Sequence, residues 1–183
     1  MKSNLLMDKM NTIQEEYKEL RRQLDEEAVT VLRNENQVIP LAKNKKIAVV
    51  TIGNSKNDVY NGLVDKGLNV RSFVVQKDDI ASKSKEWLTA LESYDLVVVS
   101  IEKTNMFASK NYGITDETVN FFNRLVAQND VILNLFACPY ALDMFRIKNS
   151  VKGLIVGYQD EVPAVTAVVK ILSGEMEAHG TLP

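Results

Sequence analysis

Apolar positions follow two different rhythms along the chain. From Thr12 to about Arg33, Ile13, Tyr17, Leu20, Leu24, Ala28 and Val31 recur every three or four residues, the spacing of one face of an amphipathic helix. Thr12 and Glu15 have capping-box spacing, so the pattern starts the helix at Thr12. The stripe reads as a core-facing surface rather than a coiled coil, because the repeat lasts only about three heptads.

Beyond the turn-forming Asn34-Glu35-Asn36, short apolar runs take over at Ile47–Ile52, Val70–Val75, Leu96–Ile101, Val131–Phe136 and Leu154–Tyr158. They are nearly continuous in apolar residues, as strands buried on both faces of a parallel sheet are. Between them lie helical patterns at Asp58–Lys66, Ile80–Glu92, Asp116–Gln128 and Tyr140–Arg146, and a last one runs from Pro163 to Leu172. Gly67 and Gly174 suit helix ends and Pro163 suits a first turn. Parallel neighbours need crossovers of a dozen or so residues, and these segments have that length. The reading is an α/β fold: a three-layer, doubly wound, mainly parallel five-stranded sheet of flavodoxin or Rossmann-like type with an N-terminal amphipathic helix. Strand order is left open.

Composition agrees with one globular domain. The chain has 183 residues, 45% hydrophobic and 25% charged, enough for a single buried core. Its 22 basic and 24 acidic residues are interspersed and give a net charge of −2, so no field holds nucleic acid or an anionic membrane. The single cysteine forms no internal disulfide and no multi-thiolate metal site. The start, Met1 to Met10, lacks the apolar core and cleavage site of a signal peptide, and no run approaches the roughly 20 apolar residues of a membrane span. The chain therefore reads as soluble, its compartment undetermined.

Ligands of open α/β sheets bind beyond the carboxyl ends of the strands, so the loops opening at Gly53, Gln76, Glu102, Ala137 and Gln159 are where chemistry belongs. The Gly53–Asn57 turn has one glycine, not the three of a dinucleotide fingerprint; Asn54 and Ser55 could hold a small anion at a helix start, or simply cap it. The loop from Glu102 to Ile114 is the longest and offers Glu102, Lys103, Asn105, Lys110 and Tyr112. Glu102 could act as an acid or a metal ligand, but with no second carboxylate nearby in sequence a solvated surface acid is the expectation. Cys138 has no second thiol and no nearby histidine, so it reads as a buried structural residue, and the lone His179 is no zinc site. Trp87, beside Leu88 and Leu91, favours packing over sugar stacking, which is also the default role for Tyr60 and Tyr158.

Five segments in order resemble one family. Val31-Leu32-Arg33-Asn34-Glu35-Asn36-Gln37-Val38-Ile39-Pro40-Leu41 resembles the LLKNENNLLPL element that opens the second domain of family 3 glycoside hydrolases. Lys46 to Gly53 and Tyr94 to Ile101 are similar to that domain's first and third strands, Val131 to Leu142 resembles its VILVLFGNPYAL, and Gly174 through His179-Gly180-Thr181-Leu182-Pro183 its closing segment. The resemblance runs from about Met10 to Pro183 and divides the chain into a linker remnant, 1–11, and the family domain, 12–183.

The resemblance implies a retaining hydrolase of β-linked sugars in which a preceding barrel domain supplies the aspartate nucleophile. A retaining mechanism needs two catalytic groups flanking the scissile bond, about 5 Å apart when both are carboxylates, so this chain alone is expected to be inactive. In the β-glucosidase branch the acid/base glutamate lies in the loop after the third of these strands; here Thr104 to Gly113 contains no acid. That departure, with Asn111-Tyr112-Gly113-Ile114-Thr115 and Arg33-Asn34-Glu35-Asn36, resembles the β-N-acetylglucosaminidase branch, whose acid/base histidine sits in the barrel. The implied partners are the barrel and carbohydrate at the domain interface, with no cofactor and no catalytic residue here; a periplasmic or secreted parent fits. Asn54, Ser55, Glu102, Lys103, Asn105 and Tyr112 are then cleft-rim candidates. Two other readings stand beside it: a free-standing flavodoxin-like module binding a small anion, and an interaction domain that forms a homodimer through an exposed face of the first helix.

Overall fold

The computed structural model describes residues 2–145 and 150–181, with side chains from residue 6 onward. The order of elements is α1 (Lys2–Ala28), β1 (Thr30–Asn34), β2 (Ile47–Ile52), α2 (Asp58–Asp65), β3 (Val70–Val75), α3 (Ile80–Leu91), β4 (Leu96–Ile101), α4 (Asp116–Gln128), β5 (Val131–Leu135), β6 (Gly153–Val156) and α5 (Val162–Ser173). They form one sheet in the order β1-β6-β5-β4-β2-β3. Strands β2 to β6 run parallel, and β1 lies antiparallel to β6 at the edge. The result is a three-layer α/β sandwich with a mixed, mostly parallel sheet.

Every residue of β2, β4 and β5 is buried, which is why these strands carry apolar side chains on both faces. One face, with Ala48, Val50, Val97, Val99 and Leu133, packs on Leu88 and Leu91 of α3 and Phe121, Phe122 and Leu125 of α4. The other, with Ile47, Val49, Val98, Ile132 and Ile155, packs on Val59 and Leu63 of α2 and Ala164, Val168 and Leu172 of α5. Strand β3 sits at the sheet edge, and Arg71, Ser72 and Val74 are exposed there. Trp87 packs edge-on against Phe121, the role its neighbours imply.

Local chemistry sets the ends of the elements. Asn57 caps α2 by accepting from the Tyr60 amide at 3.1 Å while its Nδ2 donates to the Val49 carbonyl. Thr115 caps α4 through the Thr118 amide, and Gly174, with φ 83°, closes α5 in the left-handed region.

Several expectations need correction. The sheet has six strands, not five: Thr30–Asn34, part of which the helical spacing absorbed, is a strand. Val31 falls at a helical interval, but the Thr-Val pair is β-branched and finds β6 to pair with, through a bulge between Val31 and Arg33. Helix α1 is continuous through Thr12, whose hydroxyl donates to the Asp8 carbonyl at 3.0 Å instead of capping. The segment after Cys138 makes 3-10 turns over Pro139–Met144 rather than an α-helix; Arg146 lies outside the described residues, as do Leu182 and Pro183 of the closing segment. Cys138 is half-buried rather than enclosed.

The largest correction concerns the apolar stripe of α1, which does not face the core. Ile13, Tyr17, Leu20 and Leu24 are each 55–63% exposed. The domain holds α1 by its polar side instead: Arg21 pairs with Glu161, Glu26 with Lys170, and Gln159 donates to Asp25 at 3.0 Å.

Candidate functional site

The connections leaving β2 and β4 turn to opposite sides of the sheet, so a crevice belongs between the carboxyl ends of these two strands. Three loops meet there: the turn after β2, the long loop after β4, and the loop after β6 that holds Asp160. Gly53 lets the first approach the second. Its φ is 97°, and a Cβ added there would stand 2.7 Å from the Glu102 carbonyl oxygen and the Lys77 side chain.

Glu102 is only 1% exposed, so the expectation of a solvated surface acid is wrong. Alternation along β4 explains it, because Leu96, Val98, Ser100 and Glu102 point to the same face and the first three are buried. Its oxygens accept from the Thr51 hydroxyl at 2.9 Å and from Asn54 Nδ2 at 2.7 Å. Burial pushes the carboxyl above the usual carboxylate range, and these two hydrogen bonds oppose the shift. Below it, Thr51, Ser100 and Asn134 stand in register across β2, β4 and β5 as a buried polar row; Asn134 donates to Ser100 at 3.3 Å.

The other rim candidates divide in two. Lys103 sits beside Glu102, with its amide and its ammonium both donating to Asp160, at 3.1 and 2.9 Å. Burial pushes Asp160 up, but the hydrogen bonds from Lys103 outweigh it and hold the carboxyl below its ordinary value. The same hydrogen bond raises Lys103. Asn54 joins this cluster, and Gln76 donates to its carbonyl. Ser55 lies apart, exposed on the turn.

Asn105 and Tyr112 instead shape the long loop from within. The Asn105 amide donates to the Tyr112 carbonyl at 2.9 Å, and its side chain accepts from the Phe107 amide. Gly113, with φ 73°, leaves room for the Asn105 amide group, which a Cβ would meet at 2.9 Å. The loop's two ends are joined by Lys77, whose ammonium donates to the carbonyls of Lys103 and Gly113 at 2.9 and 2.8 Å. Partial burial lowers its pKa. The loop presents Met106 and Phe107, 77% and 54% exposed, with the Lys110 ammonium over the Phe107 ring.

Sequence reasoning missed Lys77 and Asp160 as members of this site. The available signal was their position in two of the five carboxyl-end loops. Both Glu102 oxygens are engaged inside the protein, so the side chain offers no proton to an external glycosidic oxygen. Among the described residues no group of three His, Cys, Asp or Glu side chains is placed to hold a metal, and no helix is long and apolar enough to cross a membrane. His179 lines an open cleft with Glu27, Tyr158 and Thr181.

Fold and sheet order thus define a flavodoxin-like α/β sandwich domain. Residues 29–183 match the family described as the glycosyl hydrolase family 3 C-terminal domain, and the chain belongs to that family. Its fold is similar to that of a family 3 β-N-acetylglucosaminidase from Paenibacillus sp. str. FPU-7, with a TM-score of 0.71 and 19% identity over 90% of this chain and 32% of that one. A β-glucoside phosphorylase, BglX, gives 0.61 and 16% over 91% and 31%. A β-glucosidase from Bifidobacterium adolescentis gives 0.58 and 15% over 88% and 27%. No curated protein matches the chain. The chain spans about a third of the length of these structures and corresponds to the C-terminal domain alone, without the catalytic barrel that this domain packs against in full-length relatives.

Proposed function

We propose that this domain serves as a non-catalytic accessory unit of a retaining β-glycosidase of the β-N-acetylglucosaminidase type, whose nucleophile resides in an N-terminal barrel. The observation that carries the reading is the state of Glu102. It is the one acid of the loop that bears the acid/base glutamate in the resembling β-glucosidase branch, and it is sealed under Asn54 with both oxygens occupied. A carboxyl so placed braces two loops and cannot reach a substrate.

On this reading the carboxyl edge of the sheet faces the barrel. Asn54, Ser55, Glu102, Lys103, Asn105 and Tyr112 build the rim there, with Met106 and Phe107 at its tip for contact with the barrel or with carbohydrate. An anion-binding module is the weaker reading, because Lys103 is neutralised by Asp160 and the Lys77 ammonium is spent on two carbonyls.

The test is an assay of the purified chain with chromogenic N-acetylglucosaminide and glucoside, beside the same domain joined to a family 3 barrel. No turnover above buffer is expected from the chain alone. Robust turnover by it would overturn the proposal.

A further inference from the structure

The loop between β4 and α4 is held in a conformation that its own residues do not favour. Lys103, Asn111 and Tyr112 stand at φ 52°, 50° and 54°, in the left-handed region that asparagine tolerates and that lysine and tyrosine rarely adopt. Such residues persist only where their surroundings over-determine them, and they gather at ligand clamps and switch regions. Backbone bonds from Asn105 to Tyr112, from Tyr112 to Phe107 and from Ile114 to Asn111 shape the loop from within. Its two ends are joined by a side chain from outside it.

That side chain is Lys77, in the turn after the edge strand β3. Its ammonium donates to the carbonyls of Lys103 and Gly113 at 2.9 and 2.8 Å. Both carbonyls belong to left-handed residues, Gly113 standing at φ 73°, so the ammonium acts where the chain turns. Two carbonyl oxygens that converge on one point repel each other, and a positive charge between them reverses the sign of that interaction. Lys66, Lys83, Lys152 and Lys170 pair with carboxylates, whereas Lys77 gives its charge to the main chain. Its stem runs past Gly53, where an added Cβ would stand 2.7 Å from Lys77 Cε. The preceding residue, Gln76, donates to the Asn54 carbonyl at 3.1 Å, so one turn fastens both neighbouring loops.

We propose that Lys77 is a positioning residue, a tethered cation that draws the ends of the 102–114 loop together and so fixes where Met106 and Phe107 stand on the rim of the glycosidase cleft. The charge does this, and the apolar stem only carries it. The brace follows from the geometry of the loop itself, while its effect on turnover rests on the accessory role proposed above.

Hydrogen exchange of the 183-residue chain reads the brace. Lys77→Met keeps a stem of similar bulk and removes the charge. The Asn105, Tyr112 and Ile114 amides, each bonded within the loop, should then exchange at least about tenfold faster, the factor expected from a lost hydrogen bond to a charged group. The amides of β2 and β4 should keep their protection. On a Cys138→Ser background, Lys77→Cys should show the same loosening, and alkylation with 2-bromoethylamine, which restores an ammonium at nearly the length of lysine, should reverse it. A neutral propyl disulfide cap of similar length should not. Unchanged exchange in Lys77→Met overturns the proposal, as does recovery under the neutral cap as complete as under the ammonium. With the same domain joined to a family 3 barrel, Lys77→Met should raise KM for the chromogenic N-acetylglucosaminide several-fold and leave kcat nearly unchanged, the mark of binding lost equally from ground and transition states. An opened loop with KM unmoved ends the positioning role and leaves the accessory role untouched. Turnover by the chain alone would remove the accessory role and leave the brace standing.

Discussion

Helices α1 and α5 are neighbours, yet they use their amphipathic faces in opposite ways. Seven residues of α5, from Ala164 to Leu172, are buried against the sheet, and its polar side faces outward. On α1 the polar residues Arg21, Asp25 and Glu26 face the domain, and the apolar seam faces solvent. The contrast teaches that hydrophobic periodicity identifies a helix and its sticky face, while the identity of what covers that face is decided by tertiary context.

Matched substitutions sharpen the contrast. Leu172→Ala on α5, at a fully buried position, should cost about 2–5 kcal/mol in denaturant unfolding, the usual toll of a large core truncation. A loss under 1 kcal/mol would mean that the α5 face is loosely packed.

Glu102→Gln acts at the crevice. Because burial raises the Glu102 carboxyl in the folded state, the unfolded chain releases that proton first as the pH rises. The folded protein therefore loses stability from the ordinary carboxylate range up to the raised value, and above that the loss is complete. Glutamine cannot ionise, so the melting temperature of the variant relative to wild type should climb from acid to neutral pH. Parallel curves would contradict a buried ionisable Glu102.

Lys170→Met breaks the part-buried pair with Glu26, whose carboxyl is held low first by the Lys170 hydrogen bond and further by Arg22, against the opposing effect of burial. The cost should be about 1 kcal/mol or less, since such pairs stay in contact with solvent. With Glu26 lowered, the pair's contribution is present above the ordinary carboxylate range and is lost as the pH falls through the lowered value. Hydrogen exchange should show the last turns of α1 opening more readily in the variant, and only above that acid limit. Smallest of all, Leu24→Ala on the α1 seam should change the unfolding free energy of the single chain by no more than about 0.5 kcal/mol, against the several lost at Leu172. A cost matching that of Leu172 would mean that the seam is buried within one chain.

How far the sequence reads follows from the same physics. Strands β2 and β4 were legible to the residue, because continuous burial leaves continuous apolar runs, and β3 and helix α4 were legible from their own apolar patterns although β3 is exposed at Arg71, Ser72 and Val74. Strand β1 was not, being a five-residue edge strand with a bulge whose Val31 continued the helical spacing. The loops of the crevice were legible as places. What Glu102 does was not, since its burial depends on Thr51 and Asn54, about fifty residues away, and the braces supplied by Lys77 and Asp160 likewise join distant loops.

The central claim, that this domain frames a glycosidase site without supplying its attacking group, meets its most direct test in covalent trapping. A retaining enzyme forms a glycosyl-enzyme ester on its nucleophilic carboxylate, and an activated 2-deoxy-2-fluoro glycoside arrests the reaction at that ester. Intact-mass spectrometry of the purified chain after incubation with such a reagent should show the unmodified 20.6 kDa protein. A stoichiometric glycosyl adduct on any of its aspartates or glutamates would contradict the account.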